Sequence, residues 1–149
     1  KKYYLHRQQL TIEVHPCERN YVVQADFSRL KQVLLNLLSN AVKYNRDQGK
    51  VMVACELLNE QRVRISVSDT GNGMTEKDIE VLFIPFERLK EARHVEGTGI
   101  GLVISKQLTE IMKGNIGVDS VVGEGSTFWV DLELVQAQKT NDSVAYAYS

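Results

Sequence analysis

The sequence predicts an α+β fold, a two-layer sandwich in which helices stack on one face of a mixed sheet. Segments with the alternating period of strands occur mostly in pairs, and segments with the helical period separate those pairs. The regular alternation of one strand with one helix, which is typical of a Rossmann fold, is absent from the pattern. We therefore expect one mixed sheet and one layer of helices.

The composition is that of one soluble globular domain. The chain has 149 residues, of which 43% are hydrophobic and 25% are charged. Its 18 basic and 19 acidic residues argue against a nucleic-acid module, since such modules carry a basic excess. No apolar run approaches a membrane span and no signal peptide opens the chain, so we expect no direct membrane contact. Cys17 and Cys55 lack the CxxC spacing and are expected to be small apolar residues in a reducing compartment.

The first third of the chain is predicted to form two short strands and one long helix. Residues 10–14 alternate between apolar and polar side chains, which indicates a half-buried strand, and residues 21–24 are rich in β-forming types. Asp26 precedes a stretch of helical period and is the expected N-cap of a helix over residues 27–44. Turn-forming residues at 45–49 end it. The apolar stripe of this helix is expected to consist of Phe27, Leu30, Leu34, Leu37, Leu38 and Ala41.

The middle of the chain is predicted to form a hairpin, a short helix and a long loop. Residues 51–58 and 61–69 indicate two antiparallel strands. Thr75 is expected to cap a short helix over residues 76–82, because an acidic residue follows it at the spacing of a capping box. Residues 84–98 have little periodicity, and long loops of this kind are usually functional lids or disordered.

The last ordered part of the chain is predicted to be a helix followed by two strands. The helix covers residues 99–113 and stops at Gly114. The strands, at residues 115–121 and 126–135, flank a glycine-rich turn. One face of the second strand carries the side chains expected in the core, which are Phe128, Val130, Leu132 and Leu134.

Three polar residues of the long predicted helix, Asn36, Asn40 and Lys43, lie along one flank. Their spacing places them within ~60° of one another and ~120° from the centre of the apolar stripe. An amide oxygen can ligate Mg²⁺, which prefers oxygen ligands together with substrate phosphates, and Lys43 can offset phosphate charge. The pattern favours a site for phosphates and Mg²⁺. The alternative is two solvated asparagines on an exposed face.

A carboxylate ends the second strand of the predicted hairpin. Asp69 shares parity with the apolar residues of its strand, so it is expected at the rim of the core, where it needs a hydrogen-bond partner. Gly71 and Gly73 follow and add no bulk, so a flat ring could approach. An adenine amino group is a suitable donor to this carboxylate. The alternative is a turn aspartate that bonds its own backbone.

A third glycine cluster, Gly97, Gly99 and Gly101, leads into the last predicted helix. Free N–H groups and the positive end of the helix dipole suit a phosphate at such a position. The run is weak evidence on its own. It is neither a Walker A sequence nor a dinucleotide fingerprint, since no strand immediately precedes it.

These features together resemble the GHKL ATPase superfamily and, within it, the catalytic ATP-binding domain of sensor histidine kinases. The resemblance covers about residues 8–135. It implies the Bergerat ATP-binding fold, with a mostly antiparallel mixed sheet covered on one face by about three helices. It rests on five motifs, which in order are Asn36-Leu-Leu-Ser-Asn40-Ala-Val-Lys43-Tyr44, Asp69-Thr-Gly71-Asn-Gly73-Met, Phe83-Ile-Pro-Phe86, Gly97-Thr-Gly99-Ile-Gly101-Leu102 and Gly123-Glu-Gly125-Ser-Thr127-Phe.

The resemblance implies a role for each matching residue. Asn40 would bind the Mg²⁺ that bridges the ATP phosphates, and Asp69 would accept from the adenine amino group, with a water shared towards Thr127. Arg88 would reach the γ-phosphate, and residues 87–98 would be a mobile lid ordered by nucleotide. Asn36, Lys43 and Arg88 would serve catalysis. The residues implied in ATP binding are Asn36, Asn40, Lys43, Tyr44, Asp69, Gly71, Gly73, Phe86, Arg88, Gly97, Thr98, Gly99, Ile100, Gly101, Leu102 and Thr127.

Position 36 distinguishes the branches of this superfamily. Members that resemble gyrase, MutL and Hsp90 carry a glutamate there as the general base for water, whereas this chain has Asn36, and an amide takes no proton at pH 7. The resemblance thus implies a protein-histidine kinase that transfers the γ-phosphoryl of ATP to a histidine. The alternatives are a non-catalytic nucleotide-sensing module and an ATPase of the gyrase type.

The implied partners are a histidine phosphoacceptor and dimerisation domain of the same protein and a downstream response regulator or receiver domain. The phosphoacceptor motif is absent from this chain, and His6, His15 and His94 are expected to be surface residues, so the domain alone should not phosphorylate itself. Residues 1–7 are expected to end a linker, residues 8–135 to form the catalytic domain, and residues 136–149 to be a disordered tail. The expected location is cytoplasmic, with a parent protein that can be membrane-anchored.

Overall fold

Seven strands and three helices make up the part of the chain that the computed structural model describes, which is residues 1–5, 9–84 and 100–135. None of these three helices has the length and apolar character needed to cross a bilayer. In chain order the elements are β1 (Lys2–Leu5), β2 (Leu10–His15), β3 (Val22–Val23), α1 (Phe27–Lys43), β4 (Lys50–Asn59), β5 (Arg62–Asp69), α2 (Glu76–Glu80), α3 (Ile100–Ile111), β6 (Asn115–Val121) and β7 (Gly125–Val135).

The strands form one mixed sheet in the order β1-β2-β4-β5-β7-β3, and β6 also pairs with β7. Strands β2 and β4 are parallel, and every other pair among the described strands is antiparallel. A parallel pair needs a crossover connection, and α1 lies within the connection between β2 and β4. The predicted α+β sandwich with a mostly antiparallel sheet is confirmed.

The core lies between the sheet and the helix layer, where α1 packs against β5 and α3. Asp26 caps α1 as predicted, since its side chain accepts hydrogen bonds from the backbone N–H groups of residues 28 and 29. The predicted apolar stripe is wrong at two places. Val33 was not in it, yet it is fully buried, and Phe27 is 67% exposed. Phe27 lies about 80° around the helix from the buried Leu37 and in the first turn, so the sheet does not cover it.

Helix α2 begins as predicted but ends at Glu80, before the predicted residue 82, and the predicted end of α3 also needs a correction. The capping box of α2 is present, because Thr75 and Asp78 exchange side-chain and backbone hydrogen bonds. The predicted stop of α3 at Gly114 is one residue late, since the left-handed residue is Lys113, with φ of 59°. Gly114 is needed for a different reason, because a Cβ there would collide with the carbonyl oxygen of Asp131.

The expectation of two reduced cysteines is wrong in this structure, since Cys17 and Cys55 form a disulfide. The parallel register sets His15 of β2 opposite Ala54 of β4. Cys17, two residues beyond the end of β2, therefore meets Cys55 on β4, and their Cα atoms are 4.7 Å apart. Because 38 residues separate the two cysteines along the chain, no local sequence pattern indicates that they are close.

The N-terminal strand β1 was not predicted. It pairs with β2, and Glu13 of β2 forms ion pairs with Lys2 of β1 at 3.6 Å and with Lys50 of β4 at 3.1 Å. The hydrogen bond from Lys50 is the main cause that lowers the pKa of the Glu13 carboxyl. The assignment of residues 1–7 to an interdomain linker stays a prediction.

The face of the sheet opposite the helices carries a partly buried ion pair. Arg64 of β5 donates two hydrogen bonds to the carboxylate of Asp131 on β7, at 2.7 and 2.9 Å. Its guanidinium also stacks 4.5 Å from the centroid of the Trp129 ring. Because Asp131 is only 5% exposed, this bidentate contact compensates for the loss of water around its charge.

Candidate functional site

A cleft of about 460 Å³ opens between the C-terminal end of α1, the end of β5, α2 and the start of β7. Five of the predicted site residues line it together, although they come from two separate motifs of the chain. The lining consists of Asn40, Lys43, Tyr44, Asn45, Asp69, Asn72, Gly73, Met74, Asp78, Val81, Leu82, Ser126 and Phe128.

Asp69 ends β5 on the floor of this cleft. Its Oδ1 accepts hydrogen bonds from the backbone N–H of Gly71 at 2.9 Å and from that of Ser126 at 3.3 Å. Its Oδ2 accepts from no donor in the described residues. Burial raises the pKa of this carboxyl above its ordinary value, although the two N–H donors act in the opposite direction. The carboxylate thus bonds its own turn through one oxygen and keeps the other available for a ligand.

Asn40 and Lys43 bring an amide and an ammonium to the same cleft. Neither side chain forms a hydrogen bond or ion pair with any residue in the described part of the chain, and Lys43 is exposed. Both lie in the last turns of α1, where Tyr44 is the C-cap. An amide oxygen and a cation without protein partners are suitable groups for a metal ion and a phosphate, respectively.

A hydrogen-bonded junction fixes the end of α1 beside β5. Thr70 accepts from the backbone N–H of Lys50 at 2.9 Å and donates to the Oδ1 of Asn45 at 3.0 Å. The amide nitrogen of Asn45 donates in turn to the carbonyl of Lys50 at 2.9 Å. This junction sets the distance between Asp69 and the α1 wall, because Thr70 and Asn45 each follow one of those elements.

The first pair of predicted glycines is required by close approach of backbone to backbone. A Cβ at Gly71 would collide with the carbonyl oxygen of Tyr44, and one at Gly73 would collide with that of Val121. Gly73 also has φ of +70°, a conformation that other residues rarely adopt. Gly73 lines the cleft, whereas Gly71 is not among the lining residues. The close backbone approach at each position therefore explains why both are glycine.

Asn36 lies outside the cleft, although it shares a flank of α1 with Asn40. Its amide nitrogen donates to the carbonyl of Gly101 at 3.2 Å and to the hydroxyl of Ser105 at 3.1 Å, and so it ties α1 to α3. Leu102 is 1% exposed and belongs to the core rather than to the lining. The predicted roles of Asn36, Gly101 and Leu102 towards nucleotide stay predictions, carried by the motif alone.

Thr127 is not among the residues that line the cleft, and its predicted role towards adenine stays a prediction. Thr127 pairs with Ser68 of β5, hydroxyl to hydroxyl at 2.8 Å, whereas Ser126 is the residue opposite Asp69. Successive side chains of a strand point to opposite faces, so a shift of one residue exchanges the faces. Parity with Phe128, which the sequence analysis placed in the core, was the signal that could have identified Ser126.

Several residues named in the sequence analysis lie outside the described part of the chain, and their roles stay predictions. They are His6, Phe86, Arg88, His94, Gly97, Thr98 and Gly99, together with the predicted lid at 87–98. Ile100 is described as the first residue of α3.

Comparison with known proteins identifies the family. A model described as histidine kinase-, DNA gyrase B- and HSP90-like ATPase matches residues 25–136. The sensor histidine kinase GacS of Pseudomonas protegens is 47% identical over 121 residues, which are 76% of this chain and 13% of that protein. This chain therefore spans about an eighth of the length of that relative.

Two solved structures share the fold. The structure of full-length ShkA in complex with AMPPNP has a TM-score of 0.77 and 32% identity, and the match covers 89% of this chain and 27% of that one. Histidine kinase ThkA in complex with the response regulator protein TrrA has a TM-score of 0.68 and 26% identity, covering 87% and 35%. With the cleft and its motifs, these matches show that the chain belongs to the family of histidine kinase-, DNA gyrase B- and HSP90-like ATPases, as an ATP-binding domain of the sensor histidine kinase type.

Proposed function

We propose that this domain binds ATP with Mg²⁺ in the described cleft and donates the γ-phosphoryl group to a histidine on a separate phosphoacceptor domain of the same protein. One observation carries the proposal. Asp69 Oδ2 and the side chains of Asn40 and Lys43, which have no hydrogen-bond or ion-pair partner within residues 1–5, 9–84 and 100–135, line the same cleft. A base acceptor and phosphate-binding groups that line one cleft match the two parts of a nucleoside triphosphate.

At the base end, Asp69 Oδ2 accepts a hydrogen bond from the amino group of adenine. The opposite oxygen is already held by two backbone donors, so the carboxylate cannot turn away. Gly73 and Met74 form part of the wall beside the ring, and Leu82 and Phe128 supply apolar contacts. Binding here requires the ionised carboxylate, so affinity falls when the pH drops through the raised pKa of Asp69.

At the phosphate end, Asn40 Oδ1 is the proposed Mg²⁺ ligand and Lys43 neutralises phosphate charge. The fit to Mg²⁺ rests on donor chemistry, since Asn40 offers a neutral oxygen that no side chain or backbone group of the described residues binds. When bound, Mg²⁺ would withdraw charge from the phosphate oxygens. Arg88 and the backbone at residues 97–101 complete this end in the proposal, on the strength of the motifs alone.

The proposed transfer forms a bond between a histidine ring nitrogen and the γ-phosphorus and breaks the bond from that phosphorus to the β–γ bridging oxygen. ADP leaves with the bonding electron pair. Lys43 and Arg88 act by positioning and by stabilising the spread charge rather than by taking a proton. The gyrase-type ATPase is disfavoured because Asn36 is an amide whose nitrogen already donates to α3, so it offers no base for water.

A response regulator or receiver domain is the proposed downstream partner. ThkA, whose structure includes the response regulator protein TrrA, supports this proposal by likeness. The cytoplasm is the proposed location, because ATP and such regulators are available there.

The direct test mixes this domain with its separately produced phosphoacceptor domain and γ-labelled ATP. We expect acid-labile label on the phosphoacceptor and none on this chain alone. Label that appears on this chain by itself, or no transfer where the intact parent is active, would contradict the proposal.

The Mg²⁺ ligand is tested by Asn40→Ala. This variant is expected to bind an ATP analogue equally with and without Mg²⁺, whereas the unmodified chain binds more tightly with it. Asn20→Ala is the matched control, since Asn20 is exposed and lies outside the cleft. A Mg²⁺ effect that persists unchanged in Asn40→Ala would refute the ligand role.

A further inference from the structure

Ser120 of β6 contacts two segments that line the cleft. Its Oγ lies 2.7 Å from the backbone nitrogen of Met74, 3.0 Å from the carbonyl oxygen of Gly125 and 2.8 Å from the Oγ of Ser126. Of these four residues, Met74 and Ser126 line the cleft directly, whereas Ser120 lies behind them. Ser120 belongs to none of the five sequence motifs.

The three contacts of Ser120 determine where the hydroxyl protons lie. A hydroxyl has one proton to donate and two lone pairs to accept. The N–H of Met74 can only donate and the carbonyl of Gly125 can only accept, so Ser120 gives its proton to Gly125 and accepts from Met74. Its second lone pair then accepts the proton of Ser126. This is the only assignment that makes all three bonds.

Ser126 consequently has no proton left for a ligand, and its Oγ can only accept. In the paired register Ser126 lies opposite Asp69, whose Oδ2 is also an acceptor. Two adjacent acceptors favour a group that carries two hydrogens, such as the amino group at position 6 of adenine. They disfavour guanine, which has a carbonyl oxygen at that position, because acceptor would face acceptor.

We propose that Ser120 is a positioning residue that fixes the hydroxyl of Ser126 as an acceptor and thereby increases the preference of the cleft for adenine over guanine nucleotides. The inference rests on the proposed function, since it requires that the base lies beside Asp69. Ser120 itself touches no nucleotide.

The test measures dissociation constants for non-hydrolysable ATP and GTP analogues in Ser120→Ala, Ser120→Thr and the unmodified chain. Loss of the Met74 bond in Ser120→Ala weakens both nucleotides alike. Release of the Ser126 proton improves GTP only, so the ratio of the GTP to the ATP dissociation constant is expected to fall about 2- to 10-fold. Ser120→Thr keeps a hydroxyl and is expected to keep the ratio. Ser68→Ala is the control, because it removes a hydroxyl pair on the opposite face of the sheet.

A double-mutant cycle isolates the mechanism. In a Ser126→Ala background there is no hydroxyl to release, so adding Ser120→Ala is expected to leave the ratio unchanged. If Ser120→Ala does not fold, Ser120→Cys replaces it, since a thiol is a weak donor and acceptor of similar size.

Each outcome has one meaning. A ratio that stays constant in Ser120→Ala while the melting temperature drops would make Ser120 a purely structural residue and overturn the inference. A ratio that falls equally in the Ser126→Ala background would also overturn it. If the unmodified chain binds neither analogue, the proposed function fails and the inference fails with it.

Discussion

Replacing Asp69 by asparagine separates what the carboxylate does for binding from what it costs in folding. The asparagine oxygen can keep the two hydrogen bonds from Gly71 and Ser126, which the structure holds at 2.9 and 3.3 Å. Its NH₂ group must then occupy the position of Oδ2 and face the cleft. The adenine amino group would meet a donor instead of an acceptor.

The expected loss of affinity follows from that exchange. A hydrogen bond to a charged acceptor contributes about 1.5–3 kcal/mol. Its loss corresponds to roughly a 10- to 150-fold increase in the dissociation constant of an ATP analogue. Isothermal titration calorimetry at neutral pH measures this dissociation constant. Asp119→Asn is the matched control, because Asp119 carries the same charge on an exposed position of β6. A loss below 3-fold would contradict the role of Asp69 as the adenine acceptor.

The stability of the nucleotide-free protein is expected to change in the opposite direction. Burial raises the pKa of Asp69 in the folded state above the ordinary value of 3.8. Its contribution to stability is therefore fully present below pH 3.8 and is lost as the pH rises through the raised pKa. Asp69→Asn carries no such penalty, so its melting temperature relative to the unmodified chain should rise across that window and then level off. A variant that is less stable at neutral pH than at acid pH, relative to the unmodified chain, would refute the burial argument.

Two further predictions concern the stability of the fold away from the cleft. The Cys17–Cys55 disulfide links residues 38 apart in the chain. Closing a loop of that length stabilises the folded state by about 2–4 kcal/mol, because it lowers the entropy of the unfolded chain. A reductant should therefore lower the melting temperature by roughly 6–15 °C. An unchanged melting temperature after reduction, in protein in which the disulfide was verified beforehand, would contradict this prediction. Arg64→Ala leaves the charge of Asp131 buried without its partner. The free energy of unfolding, measured with urea, should therefore fall by about 3–5 kcal/mol. A loss under 1 kcal/mol would mean that water replaces the guanidinium.

Features that depend on local sequence could be predicted. The N-cap at Asp26 and the capping box at Thr75 require only side chains within a few residues of one another, and both are present. The placement of Asp69 at the rim of the core followed from strand parity alone. Asn40 and Lys43 were predicted to share a wall from helical spacing, and they line the cleft together.

Features that depend on register between distant segments could not be predicted. The disulfide follows from the parallel alignment of β2 with β4, which no local pattern encodes. Asn36 has the same helical flank as Asn40, but α3 lies against it and takes its hydrogen bonds. The glycine turn before β7 gave no indication of whether Ser126 or Thr127 would face Asp69, because one residue of slippage exchanges the two faces of a strand.

The central claim, that the cleft is a site for ATP with Mg²⁺, is tested most directly by titrating the unmodified chain with a non-hydrolysable ATP analogue in the presence and absence of Mg²⁺, with the GTP analogue as reference. The account predicts binding that Mg²⁺ strengthens and that the GTP analogue matches only at higher concentration. Equal affinity for both analogues, with no effect of Mg²⁺, would contradict it.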